Sequence, residues 1–180
     1  MTRVIPESHP LHRMFRGLTE FTFTTELGIG DPTLLGYVSD LLARFVSTAS
    51  VWRIRDEDGR RITEVARMLA EAEASADASR RRDCHRQIGD FTLFWTGVYP
   101  EALGRMRRSN SADQLVDYQR QGKKSYYLAS TLDEDAESAV LRRLSEEFEL
   151  CAFGLARVRQ EWERYESEAP RGANPAGPAF

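Results

Sequence analysis

The side chains best suited to chemistry lie in and around one run, Ile88 to Tyr99, the densest apolar and aromatic stretch of a strongly charged chain. Phe91, Leu93, Phe94, Trp95, Val98 and Tyr99 point in too many directions for a one-faced surface helix. A segment apolar all round belongs in the middle of a fold. Asp90, Thr92 and Thr96 lie inside that run. Buried polar groups need partners, because leaving one unpaired costs about 1–3 kcal/mol. Asp90 is expected either to pair locally with Arg86, one turn before it, or to reach across the core to Tyr118, Tyr126, Tyr127 or Lys123. Glu147 is the parallel case, beside an apolar stripe and with Arg143 one turn back. Were Asp90 and Glu147 to meet inside the fold, they would make an acid/base pair or a set of metal ligands. The candidate ligand-binding residues are therefore Asp90, Thr92, Thr96, Tyr118, Tyr126 and Glu147.

Histidine and cysteine offer less. His9 and His12 are three apart and on a helix would face the same way, with His85 as the third histidine, so these are weak candidates for a metal site. No HExxH pattern accompanies them, and Pro10 places His9 at a fraying helix end; surface histidines are the preferred reading. Cys84 and Cys151 belong to no CxxC pair and read as reduced thiols packed as small hydrophobes. Cys84 and His85 are adjacent, which on a helix turns them about 100° apart, so they do not form a catalytic pair with each other.

Three basic clusters stand out: Arg80 to Arg82 with Arg86, Arg105 with Arg107 and Arg108, and Arg120 with Lys123 and Lys124. They could bind phosphates or an acidic partner, but acids are interleaved with them, and a solvated helix face is the usual outcome. A net charge of −3 and a pI near 5.7 argue against a dedicated nucleic-acid binder. No glycine-rich phosphate loop, Walker pattern or GxSxG motif is present.

The elements that must position these residues read as helices. Leu11, Met14, Phe15, Leu18 and Phe21 follow helical spacing behind a cap at Ser8 or His9, with Gly28 as the stop. Asp31 and Pro32 open a second helix whose stripe is Leu34, Leu35, Val38, Leu41, Leu42, Phe45 and Val46. Val51 to Ile54 and the turn at Asp56 to Gly59 suggest an ordered loop pinned by Trp52, with a small hairpin as the alternative. Ile62, Val65, Ala66 and Leu69 mark a third helix, and residues 74–79 a connector. The aromatic run belongs to a fourth helix over about 79–98; its β-prone end would also suit a buried strand, but no partner strand is evident. A short fifth helix follows Pro100. Ser111 with Gln114 is a capping-box signature for a sixth helix, whose stripe is Leu115, Tyr118, Gly122, Tyr126 and Ala129. Thr131 with Glu134 repeats the signature before a long seventh helix, with the stripe Val140, Leu141, Leu144, Phe148, Cys151, Leu155, Val158 and Trp162. Gly122 on an apolar face, like Gly89 and Gly97, points to two helices in close contact.

The chain of 180 residues, 41% hydrophobic and 29% charged, has enough apolar content for a globular core without metals or disulfides. The expected fold is all-α, a single-domain bundle of about six or seven helices with a long C-terminal helix. An arm at 1–8 and a disordered, Pro- and Gly-rich tail at 168–180 would flank the helical domain at 9–167. The N-terminus shows no signal core and no segment approaches a membrane span, so a cytoplasmic location is expected. The function expected is that of a non-catalytic protein working through another protein, without a cofactor, with homo-oligomerisation possible and nucleic acid and membrane disfavoured. Two alternatives stand beside it. One is a helical-bundle binder of a small ligand or metal that uses the polar residues of the aromatic helix. The other is an enzyme built on Asp90 and Glu147.

Overall fold

A computed structural model describes residues 10–46, 64–109 and 111–168. The chain is all-α. Among the described residues there are eight α-helices: α1 (Pro10–Glu26), α2 (Pro32–Val46), α3 (Val65–Ala74), α4 (Ala78–Gly97), α5 (Pro100–Ser109), α6 (Tyr118–Leu132), α7 (Ala136–Glu146) and α8 (Phe148–Glu168). None of them is long and apolar enough to cross a membrane. The expected N-terminal arm, the caps Ser8 and His9, Ile62, the hairpin or Trp52-pinned loop, and all of the tail after Glu168 lie outside the described residues. The helices group into two compact units, one holding α1, α2 and α8 from Phe153 onward, the other α3 to α7 with the first residues of α8.

In the first unit, α2 is held as its sequence implies. Asp31 accepts the Thr33 amide at 2.9 Å, and Leu34, Leu35, Val38, Leu41, Leu42, Phe45 and Val46 are all buried. The stop at Gly28 also holds: it has φ 68°, and beyond it the Ile29 amide reaches back to the Phe23 carbonyl at 2.9 Å. The inward face of α1 differs from the expected one. It consists of His12, Phe15, Thr19, Thr22 and Phe23, whereas Phe21 is 58% exposed. Of the expected stripe, Phe15 is buried and Leu11, Met14 and Leu18 are half-buried; the face is turned away from Phe21 because two threonines and a bonded imidazole occupy core positions. Against α8, the Phe15 ring meets Trp162 edge to face at 5.1 Å. Gly154 leaves room for Phe23, whose ring would stand 2.5 Å from a Cβ placed there.

In the second unit, α4 runs through the middle. Twelve of its residues, among them Ile88 to Trp95, are buried, so the β-prone end is a helix packed on every side. It lies against α3 and α6, and α6 in turn against α7. The expected close contact is present: a Cβ at Gly89 would stand 2.6 Å from the Tyr126 ring, and one at Gly122 would stand 2.5 Å from Phe148. The inward face of α3 is Val65, Met68 and Ala72, shifted from the expected Ala66 and Leu69.

Both capping boxes are displaced. Ser111–Asp113 is a short 3-10 turn, and α6 begins at Tyr118 with Asp117 as its cap. Leu115 accordingly falls outside the helix and is 97% exposed. At the next junction α6 runs on past Thr131, and Asp135 with Ser138 forms the box that opens α7. The carboxylate of Asp135 accepts the Glu137 and Ser138 amides at 3.0 Å each, and Arg82 holds it at 2.8 Å. The long final helix is present as α7 and α8, interrupted at Glu147 (φ −105°, ψ 25°). Its core stripe is continuous across the interruption: Val140, Leu141, Leu144, Phe148, Cys151, Leu155, Val158 and Trp162 are all buried.

Candidate functional site

Asp90 is fully buried, and it reaches across the core. The Tyr126 hydroxyl of α6 donates to its Oδ1 at 2.8 Å. Tyr126 is itself fully buried, and its ring occupies the space that a side chain at Gly89 would fill. Glycine at 89 thus allows the ring to approach α4 closely enough for the hydroxyl to meet Asp90, one residue on.

The two threonines are satisfied within their own helix. Thr92 donates to the Ile88 carbonyl at 2.7 Å and approaches the Gly89 carbonyl at 3.0 Å; Thr96 donates to the Thr92 carbonyl at 2.6 Å. Such back-bonding commits each hydroxyl's one donor to its own helix. Tyr118, 4% exposed, donates not to Asp90 but to Asp113 at 2.6 Å. Glu147 pairs with Arg143 at 3.1 Å, with about a third of each side chain exposed. Of the six candidates, then, Asp90 and Tyr126 are brought together, Thr92 and Thr96 bond locally, and Tyr118 and Glu147 have other partners. Among the remaining expected donors, Lys123 holds Glu149 at 2.7 Å, and the Tyr127 ring lies under the Arg142 guanidinium at 4.4 Å.

Asp113 is the polar centre that sequence reasoning missed. It is fully buried, and its two oxygens accept the Val65 and Ala66 amides at 2.9 Å each. These are free N–H groups at the start of α3, where a helix favours negative charge. The residue preceding α3, Glu64, provides no side-chain cap. No local signal pointed to it: Thr63 stands just before Glu64 in the sequence, and Asp113 lies 48 and 47 residues along the chain from the amides that it accepts.

His9 lies outside the described residues; His12, in the first unit, is buried with Nε2 2.7 Å from Asp40; His85 is on α4 in the second. Among the described residues no three His, Cys, Asp or Glu side chains are grouped to hold a metal ion. Both cysteines are free and buried. Burial pushes the Cys151 thiol up to about 12, with the Glu147 charge adding to it. Burial likewise raises Cys84, against the pull of Arg80. A thiol is a nucleophile only as thiolate, so neither is poised for attack at neutral pH. The imidazole of His85 is held below the ordinary histidine range by burial first and then by the charges of Lys124 and Arg81.

Most of the Arg80–Arg86 cluster is committed. Arg80 pairs with Glu71. Arg82 bonds Asp135 at 2.8 Å and the Ala129 carbonyl at 3.3 Å. Arg86 bonds both oxygens of Glu137 at 3.1 and 3.2 Å. No protein-family model, curated protein or solved structure matches the chain.

Proposed function

We propose that this is a non-catalytic helical protein that acts by binding another protein, in a reducing compartment such as the cytoplasm. The observation that carries the reading is a division of labour. The candidate residues at the centre of α4 and α6 are bonded within the fold, Asp90 to Tyr126 and Thr92 and Thr96 to their own helix, while large apolar side chains stand outward. Phe21, Phe153 and Tyr165 are 58%, 55% and 63% exposed, and Leu115 is 97% exposed. A single exposed apolar residue is ordinary; several large ones supply the anchors from which a protein interface is made. Two free cysteines, rather than a disulfide, support the reducing compartment.

Affinity capture from cells of the source, quantified for the wild type and three variants, tests this. The reading predicts a reproducible partner whose recovery falls about tenfold or more with Phe153→Ser or Leu115→Ser, the loss expected of an interface anchor. It predicts unchanged recovery with Asp90→Asn, provided that the variant is folded. Recovery indifferent to both surface variants, or lost in folded Asp90→Asn, would overturn it.

A further inference from the structure

Three nitrogen-bearing side chains of the second unit lack the anions that their neighbours have. Arg81 and His85 are one turn apart on α4. The Arg81 Nε and the His85 Nδ1 are both buried, and neither has a hydrogen-bond partner. His85 is 9% exposed. Lys124 is exposed on α6, the helix packed against α4, and its charge, like that of Arg81, disfavours the imidazolium. Glu73 of α3 opposes them, and more weakly. The surrounding cations are matched: Arg80 with Glu71, Arg82 with Asp135, Arg86 with Glu137, Lys123 with Glu149. Arg81 and Lys124 enter no ion pair among the described residues. A buried polar nitrogen without a partner is costly, and here two lie on one helix face.

We propose that Arg81, His85 and Lys124 form a binding site for a phosphate group, free or carried by a small phosphomonoester. The donor set favours phosphate over carboxylate. A guanidinium fork and an ammonium together match the charge of a dianion, and a third oxygen remains to accept from the imidazole. A carboxylate has one charge and two oxygens, and would leave a cation unmatched. Lys124 is exposed and Arg81 half-buried, so an anion arriving from solvent meets them before His85. The site stands apart from the protein-partner reading and holds whether or not that reading does.

Isothermal titration calorimetry on the full chain at low ionic strength tests it, with inorganic phosphate, phenyl phosphate and acetate as separate ligands. Saturable binding with a Kd below about 1 mM is expected for at least one phosphate ligand. Phosphate alone would assign the free anion, and phenyl phosphate alone the ester. Arg81→Gln and Lys124→Gln should each weaken binding about tenfold or more, the loss of one charge-assisted contact. Lys123→Gln should leave it unchanged. The two lesions lie on different helices, so either variant that keeps its helical circular dichroism and melting transition is decisive. No saturation by about 10 mM phosphate or phenyl phosphate, equal binding of acetate, or full binding by a folded Arg81→Gln or Lys124→Gln would overturn the proposal.

Discussion

Tyr126 and Asp90 are joined by a hydrogen bond of 2.8 Å in the interior of the second unit, and both are fully buried. The phenol has no water to turn to if the carboxylate is lost, and the carboxylate loses a donor if the phenol is. Tyr126→Phe should therefore lower the unfolding free energy by about 1–3 kcal/mol, read from the urea midpoint at constant slope. Asp90→Leu should cost as much or more, since it leaves the tyrosine hydroxyl buried without this acceptor and adds bulk beside it.

The glycines of the same unit separate close packing from chain entropy. A Cβ at Gly122 would stand 2.5 Å from Phe148. Gly122→Ala should be destabilising by about 1–3 kcal/mol through overpacking, despite the helix propensity that alanine adds. Gly36, in α2, has nothing within 4 Å of where a Cβ would stand. Gly36→Ala should stabilise by about 0.5–1 kcal/mol. Thermal melts of the two variants should move in opposite directions.

Asp113 caps α3 from a distance of 47 and 48 residues along the chain. Asp113→Ala removes an acceptor of two amides and one phenol at once. A loss of about 1–3 kcal/mol is expected, and with it faster hydrogen exchange at Val65 and Ala66. Asp113→Asn, which keeps one carbonyl oxygen, should retain part of the protection.

Stability should fall on acidification through His85. Its folded-state pKa lies below the ordinary value because burial, Lys124 and Arg81 all disfavour the imidazolium, with Glu73 opposing. The unfolded chain then binds more protons than the folded one, and unfolding free energy rises with pH. The contribution is complete above the ordinary histidine pKa of about 6.5 and is lost progressively below it. Urea midpoints at a series of pH values from about 7 down to 5 should decline for the wild type, and less steeply for His85→Gln.

The sequence made most of the fold legible where apolar types alone fill one face. The α2 stripe from Leu34 to Val46 and the final stripe from Val140 to Trp162 are buried throughout, and the aromatic run is the central helix. Legibility failed where polar residues take core or capping roles. Thr19 and Thr22 are buried on α1, so the apolar count there selected the exposed Phe21 instead. The boxes at Ser111 and Thr131 matched a local pattern, but Asp117 and Asp135, four to six residues on, supply stronger acceptors and start the helices. Asp113 was illegible because its partners, Val65 and Ala66, meet it only after the chain has folded. For the candidate site, Asp90 with Tyr126 was among the pairings that composition and spacing allowed. The remote positions of Tyr118 and Glu147 followed from Asp113 and Arg143, which periodicity does not rank.

The central claim is that the buried pair of α4 and α6, Asp90 and Tyr126, holds the fold together rather than acts on a substrate. A double-mutant cycle by urea unfolding on wild type, Asp90→Ala, Tyr126→Phe and the double variant measures it directly. The account predicts a favourable coupling between the two positions of about 0.5–3 kcal/mol, with the double variant less destabilised than the sum of the singles. Strictly additive losses, or single variants as stable as the wild type, would contradict it.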